Sequence, residues 1–149
     1  MLKLDNQLFE RLLLDAEASP RKRVHYNIHQ SYNEPVQRLC IALKSGTYIR
    51  PHCHKNKGSW EMIVALKGEV DMLIFDSKGN VKERFKLSPL SGRIAVELEP
   101  NTWHMVFPAE TEAVIFEVKE GPFRQKKISD FARWSPEENS VGVEDFLAW

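Results

Sequence analysis

The sequence has few cysteines, no long apolar run and no excess of charge of either sign. Its two cysteines, Cys40 and Cys53, cannot form the disulfide framework of a small secreted domain. No segment approaches the roughly 18 apolar residues that a membrane span needs, and the first residues lack the apolar stretch of a signal peptide. The 21 basic and 21 acidic residues balance, which gives no reason to expect nucleic acid or an anionic membrane as a partner. We therefore expect a cytoplasmic protein whose partner is a small molecule.

The chain is long enough for a single domain, and we expect one over residues 1–149. Residues 1–19 have the pattern of an amphipathic helix that Asp5 or Asn6 can cap and that Ser19-Pro20 ends. One such helix cannot bury its apolar face alone, so it should pack on the strands that come after it in the chain. Its apolar positions recur at helical spacing: Leu8, Phe9, Leu12, Leu13 and Ala16.

Residues 23–120 read as short strands separated by turn signals, with no helix between them. This pattern is typical of an antiparallel sandwich or a small barrel. Residues 121–149 are polar and then gain scattered aromatics, so we expect a tail laid over the barrel, with a helix starting at Ser135-Pro136. The expected strands are 23–28, 37–43, 47–54, 60–66, 69–75, 81–87, 93–98, 104–107 and 113–118.

Four residues form a candidate site for one divalent metal ion: His52, His54, Glu61 and His104. On a strand, residues two apart point to the same face, so His52 and His54 can reach one point while Cys53 points away. A turn at residues 55–59 would bring Glu61 onto the neighbouring strand. Glu61 lies in an otherwise apolar run, where an unpaired buried carboxylate would be costly and a bound cation would remove the cost. His104 follows a tight turn that can aim it inward.

Two stretches of the sequence resemble the cupin motifs. The run from Gly46 through His52, His54 and Glu61 to Gly68 resembles the first motif, and Gly92 through Pro100-Asn101-Thr102-Trp103-His104 resembles the second. The resemblance implies an all-β jelly-roll barrel, the cupin double-stranded β-helix, with a site of three histidines and one glutamate. The sequence departs from the pattern in a longer gap between His54 and Glu61 and in two single residues. Asn101 replaces the usual glycine, which is tolerable because asparagine accepts the left-handed conformation, and Pro108 replaces a non-ligating asparagine.

Over nearly its whole length the chain also resembles the WbuC family of cupin-fold proteins. The family is named from genes in bacterial O-antigen clusters, which implies sugar or sugar-nucleotide metabolism, although the resemblance supplies no reaction. The matching stretches are His25-Tyr26-Asn27-Ile28-His29, Pro35-Val36-Gln37-Arg38, Arg50-Pro51-His52, Pro100-Asn101-Thr102-Trp103-His104 and Phe116-Glu117-Val118-Lys119-Glu120-Gly121-Pro122.

Other polar residues are candidates for binding a substrate or for orienting the ligands. His25, Asn27 and His29 alternate and could line the barrel mouth, or could instead face water from an edge strand. An inward Arg38 could clamp a carboxylate or phosphate, or could pair with an acid, and Arg50 is a similar candidate. Glu117 is a candidate proton-transferring group, against the alternative of a charged outer face.

Three imidazoles and one carboxylate leave open positions on the ion, and they suit Zn, Fe, Mn or Ni equally. The first functional hypothesis is metal-assisted isomerisation or epimerisation of a small carbohydrate-like or oxo-acid metabolite. The alternatives are a metal-dependent binding or sensing module without turnover, and an Fe(II) dioxygenase. We single out no residues for an organic cofactor. The apolar outer face of residues 60–66 suggests a homodimer.

Overall fold

The computed structural model describes residues 1–55 and 59–148, and within them the fold is mainly antiparallel β-structure. The strands pair in the order β1-β2-β6-β3-β4, with β5 on the edge of β3. No helix in these residues is long and apolar enough to cross a membrane. The elements are α1 Asn6–Ala18, β1 Arg23–Asn27, β2 Val36–Lys44, β3 Glu61–Phe75, β4 Val81–Leu87, β5 Ala95–Leu98, β6 Trp103–Glu120, a 3₁₀ turn Ile128–Asp130 and α2 Val143–Leu147.

Helix α1 forms where the sequence predicts it and buries the predicted face. The Asp5 side chain caps it by accepting a hydrogen bond from the Leu8 backbone N–H at 3.1 Å. The apolar residues pack against Cys40, Ala42 and Val114 on the outside of the sheet. The helix is thereby held by burial of its apolar stripe rather than by its own propensity. Its buried residues are Leu8, Phe9, Leu12, Leu13 and Ala16.

Strands β3 and β6 pair along nearly their whole lengths and carry the barrel. The register shifts between Ala65 and Val70, where the pair bends. Gly68 lies at this bend with a φ of 71°, and a Cβ there would lie 2.4 Å from the backbone oxygen of Glu112. Residues on both sides of the bend, such as Ile63 and Met72, share one core. The sequence predicts each long strand as two short ones because turn-like residues occupy the bend.

Two other local predictions are wrong. Residues 47–54 form no continuous strand, because only His52 makes bridges to other strands. No helix starts at Ser135, because its hydroxyl donates to the carbonyl of Ala132 at 2.9 Å and closes a turn instead. The next carbonyl, that of Pro136, accepts the Tyr48 hydroxyl at 2.9 Å. The tail is therefore shaped by contacts with the barrel rather than by local helix signals.

The tail packs on the barrel through aromatic residues and a partly buried ion pair. Trp134 lies against Phe75 at a ring separation of 4.9 Å, within a cluster that includes Tyr48 and Met105. The Arg23 guanidinium, whose side chain is 4% exposed, contacts a Glu138 carboxylate oxygen at 2.8 Å. These contacts set the tail beside residues 50–54, where the candidate metal ligands begin.

Candidate metal centre

His52 and His104 are placed opposite each other by an antiparallel backbone bridge. The His52 N–H donates to the His104 carbonyl at 3.1 Å, and the His104 N–H donates to the His52 carbonyl at 3.0 Å. Residues directly opposite across such a bridge have neighbouring side chains. The two imidazole rings accordingly lie 4.4 Å apart between centroids. Two ligands 52 positions apart in the chain thus reach one place through two hydrogen bonds.

His54 is positioned by the turn that precedes His104. Asn101 adopts a φ of 65°, the left-handed conformation expected for it, and its N–H donates to the His54 carbonyl at 2.8 Å. The His54 ring lies 5.4 Å from His52 and 5.7 Å from His104 between centroids. Cys53 is buried and free, and its N–H bonds to the tail at Asp130. The predicted turn at 55–59 falls partly on residues 56–58, outside the described residues.

Glu61 brings the fourth ligand from the start of β3, at the centre of the sheet. One of its carboxylate oxygens lies 3.1 Å from His54 Nε2 and 3.1 Å from His104 Nε2. Ligands at right angles on an ion with bonds of about 2.1 Å lie about 3 Å apart, which these spacings match. One ligand atom from each of His52, His54, Glu61 and His104 lies within 4.8 Å of the others, so this group could hold a metal ion.

The hydrogen bonds of two histidines test whether these residues fit a cation. His52 Nδ1 lies 2.9 Å from the Arg50 carbonyl, and His104 Nδ1 lies 2.9 Å from the Thr102 carbonyl. A carbonyl oxygen only accepts, so each Nδ1 carries a proton, and a ring with no second proton presents a lone pair at Nε2. His104 Nε2 and the Glu61 oxygen would then be two acceptors at 3.1 Å. A cation between them resolves this contact, so the donor set fits a metal.

Lys119 offsets part of the negative charge at the centre. Burial opposes ionisation of Glu61, but the close His104 and His54 rings and the charge of Lys119 hold the pKa of its carboxyl well below its usual range. The Lys119 ammonium lies 3.8 Å from the second Glu61 oxygen. Burial lowers the pKa of His52 well below its usual value, which keeps this ligand neutral and able to bind a metal.

A cavity of about 470 Å³ opens beside the four ligands, a size that suits a small molecule. His25, Asn27 and His29 line it, as the alternation of β1 predicts. Arg50 also lines it, but its guanidinium donates to the Ala132 carbonyl at 2.9 Å and so anchors the tail. The expectation of an inward Arg38 that binds the substrate is corrected here. Arg38 does not line the cavity, and its guanidinium pairs with Glu34 at 3.0 Å.

Glu117 and Lys119 lie inward on β6 and form an ion pair in the cavity wall. Burial and the nearby charge of Glu61 raise the pKa of the Glu117 carboxyl, against the effect of Lys119. Lys126 reaches the same cavity from the tail, and removal from water lowers its pKa to about 8. The wall thus carries groups able to hold or accept a proton near the metal ligands.

Gln37 and Lys126 are among the cavity residues that the sequence reasoning misses. Gln37 is 1% exposed and takes the inward position that the sequence reasoning gave to Arg38, its neighbour. Its inward position follows from the pairing of β2 with β6, which local alternation does not predict. Lys126 lies in the tail, where no periodic pattern predicts which side chain turns inward.

Solved structures with the cupin fold resemble this chain. An RmlC-like cupin with a double-stranded β-helix fold from Methanocaldococcus jannaschii is 18% identical, with a TM-score of 0.51 over 68% of this chain and 83% of that one. A cupin domain of an XRE family transcriptional regulator from Enterobacter cloacae is 19% identical, with a TM-score of 0.53 over 68% and 98%. Oxalate oxidase in complex with glycolate is 15% identical, with a TM-score of 0.54 over 71% and 54%.

These likenesses confirm the expected fold, an all-β cupin barrel with an N-terminal helix. No curated protein sequence matches the chain. One family model matches residues 4–87, more than half of the chain, and it describes a domain of unknown function, DUF6016. With its cupin barrel and its group of three histidines and one glutamate, the chain belongs to the DUF6016 family.

Proposed function

We propose that this protein binds one divalent transition metal ion through His52, His54, Glu61 and His104 and isomerises or epimerises a small metabolite. The substrate class is carbohydrate-like or an oxo-acid. The observation that carries the proposal is the meeting of imidazole lone pairs with a buried carboxylate at 3.1 Å beside a cavity. Zn, Fe, Mn and Ni all accept this ligand set, because imidazole nitrogen suits each of them.

A bound ion with open positions would polarise a substrate carbonyl and make the adjacent C–H more acidic. Glu117 would take that proton, because it lines the cavity and burial raises the pKa of its carboxyl above the usual value. Lys119 contacts both Glu117 and Glu61, and would hold the position of the base and offset its charge. His25, Asn27 and His29 would contact the substrate from β1, and Arg50 would support the ligand segment through the tail.

The charged cavity wall favours this chemistry over the Fe(II) dioxygenase alternative. An oxygen-dependent reaction is better served by an apolar pocket without a free acid or base, whereas Glu117, Lys119 and Lys126 all line this one. The non-enzymatic alternative, a metal-dependent sensing module, is favoured by the likeness to a cupin domain of a transcriptional regulator.

Five further parts of the proposal rest on sequence resemblance, on composition or on the outer face of the sheet. We propose membership of the WbuC family and a role in O-antigen or sugar-nucleotide metabolism, on the five matching stretches of sequence. We also propose one domain over residues 1–149 and a cytoplasmic location. A homodimer through the half-buried outer side chains of Met62 and Val64 would give a light-scattering mass of twice the 17.3 kDa chain, and a mass equal to one chain contradicts it.

Metal content tests the central proposal. Elemental analysis of purified protein should find close to one divalent ion per chain, and the double variant His52→Ala, His54→Ala should lose it. His25→Ala is the matched control, because His25 lines the cavity but does not belong to the ligand group. Equal metal in the wild type and the double variant would refute the site. Thermal stabilisation by sugar nucleotides would then identify the substrate class.

A further inference from the structure

Two buried polar atoms of the cavity wall meet no hydrogen-bond partner within residues 1–55 and 59–148. They are His29 Nε2 and Gln37 Oε1. His29 is 8% exposed and Gln37 is 1% exposed, and both residues line the cavity. Buried polar groups in native proteins nearly always have a partner, so a pair of unpaired atoms at one cavity wall points to a ligand.

The rest of each side chain is fixed, which leaves these atoms available. Gln37 Nε2 donates to the Glu34 carbonyl at 2.9 Å and faces the Ser31 and Tyr32 carbonyls, so the amide cannot flip without placing oxygen against oxygen. His29 Nδ1 is engaged by the Arg38 backbone at 2.9 Å. The amide oxygen and the distal ring nitrogen are therefore the only free polar atoms of the two side chains.

The two residues are neighbours just beyond the end of β1. β1 ends at Asn27, opposite Leu39, and beyond it the His29 N–H donates to the carbonyl of Arg38, the residue next to Gln37, at 3.3 Å. Both side chains line the same cavity, so one ligand group can approach both atoms.

The chemistry of the pair selects a hydroxyl group. Gln37 Oε1 only accepts a hydrogen bond, so a carboxylate or phosphate oxygen placed there would meet another acceptor. His29 Nε2 either donates or accepts, depending on which ring nitrogen carries the proton. A hydroxyl group donates and accepts at once and satisfies both atoms in either case.

Two exposed aromatic rings border the same part of the cavity. Tyr32 lies 5.5 Å from the His29 ring and 5.0 Å from the Phe123 ring between centroids. Asn27 Nδ2 donates to the Tyr32 hydroxyl at 3.2 Å. Tyr32 and Phe123 are 56% and 47% exposed and line the cavity, so an apolar ligand surface can still cover them. Hydroxyl groups beside an apolar C–H face are the combination that a sugar ring presents.

Gln37 lies in one row with a metal ligand across the sheet. Gln37 is paired with Lys119 on β6, and Lys119 is paired with Glu61 on β3. Two strand spacings of about 4.8 Å separate the backbones of Gln37 and Glu61 by about 10 Å. A ligand that reaches the metal ligands at one end can therefore reach His29 and Gln37 at the other.

We infer that His29 and Gln37, with Tyr32 and Phe123, form a subsite for a hydroxyl-bearing sugar ring. This inference rests on the proposed metal-dependent function and narrows its substrate class to carbohydrates, to the exclusion of simple oxo-acids. The carboxylate or carbonyl end of the ligand faces the metal ligands, and a ring hydroxyl bridges the two unpaired atoms.

The test compares metal-loaded wild-type protein with ring acids that differ only in their hydroxyl groups. The probes are D-glucuronate, D-galacturonate and D-mannuronate on one side and cyclohexanecarboxylate on the other, with affinity taken from thermal stabilisation. At least one sugar acid should bind about tenfold more tightly than cyclohexanecarboxylate. This is the effect expected when one ring hydroxyl makes hydrogen bonds to His29 and Gln37. Equal affinities, or stabilisation by none of the probes, overturn the inference.

Two variants of His29 test the subsite itself. His29→Asn keeps an amide where Nδ1 contacts Arg38 but removes the distal nitrogen, and His29→Gln keeps a polar atom at the distal position. The first should weaken binding of the sugar acid about tenfold, while the second retains most of it. Unchanged binding by His29→Asn would mean that the unpaired atoms face only water and overturns the inference. Metal content is measured on the same samples. Wild-type protein without the ion refutes the metal site, whereas unchanged sugar-acid binding by metal-loaded His29→Asn refutes only the subsite.

Discussion

Replacing Glu61 by glutamine should have opposite effects on the metal-free and the metal-loaded protein. The substitution keeps the shape of the side chain and removes its charge. In the metal-free protein the carboxylate oxygen lies 3.1 Å from the Nε2 atoms of His54 and His104. The introduced amide can donate to one of these lone pairs, a gain of about 1 kcal/mol. At pH 8 this corresponds to a melting temperature about 2–4 °C higher than that of metal-free wild type.

In the metal-loaded protein the same change should be destabilising. At a metal concentration of 100 times Kd, binding stabilises the wild type by about 2.7 kcal/mol. Loss of the one anionic ligand should weaken binding about 100-fold or more, since even residues that only orient ligands contribute 10- to 100-fold. The variant would then gain only about 0.4 kcal/mol from the same metal concentration.

Differential scanning fluorimetry of chelator-treated protein, with and without added Zn²⁺, Mn²⁺ or Ni²⁺, measures both effects. Glu117→Gln is the matched control, because Glu117 is also a buried cavity carboxylate but lies outside the ligand group. It should keep the metal-induced shift. A Glu61→Gln protein that shows the wild-type shift with metal would refute the ligand assignment. A metal-free variant less stable than wild type would refute the argument that two acceptors face each other.

Two further predictions concern the frame of the site. Gly68→Ala should lower the free energy of unfolding by about 1–3 kcal/mol, because Gly68 has a φ of 71° and a Cβ there would lie 2.4 Å from a backbone oxygen. Thermal unfolding measures this loss. The control Gly92→Ala should show no such loss, because a Cβ at Gly92 meets no atom within 4 Å. Arg23 and Arg21 hold the pKa of Glu138 below its usual 4.5 despite partial burial. The ionised carboxylate therefore stabilises the fold fully above pH 4.5, and this stabilisation is lost as the pH falls through the lowered pKa. Glu138→Gln should therefore lower the free energy of unfolding at pH 7 and make it fall less steeply in acid, as measured by urea unfolding at several pH values. The control Glu137→Gln, at a side chain that is 79% exposed, should follow the wild-type pH curve.

The ligand set could be predicted from sequence because each ligand breaks a local pattern. Glu61 interrupts an apolar strand. His52 and His54 are two residues apart, and their side chains lie on the same side of the backbone even though residues 47–54 make no continuous strand. Extended backbone alone is enough to place alternate side chains together. Asn101 at a tight turn marks the approach to His104 in the same way, since few other residues accept its φ of 65°.

The cavity wall could be predicted only in part, for a physical reason visible in β2. Residues 39–43 are apolar on both faces, because helix α1 covers one face and the barrel core the other. The strand then shows no alternation of apolar and polar residues, so sequence alone cannot decide whether Gln37 or Arg38 points inward. The pairing of β2 with β6 decides it, and that pairing is a long-range contact. Lys126 was beyond prediction because its place depends on how the tail docks.

The bridges from His52 to His104 and to Phe131 tie the ligand segment to both the barrel and the tail. The Cys53 N–H donates to Asp130 at 2.9 Å and the Ala132 N–H donates to Pro51 at 2.9 Å, on either side of a metal ligand. Ordering of residues 51–54 by a bound ion and ordering of residues 130–132 by docking are therefore linked, and each must strengthen the other by the same factor. The amide hydrogens of Cys53 and Ala132 should exchange more slowly with solvent when metal is bound, so the far end of the chain reports the occupancy of a centre to which it gives no ligand.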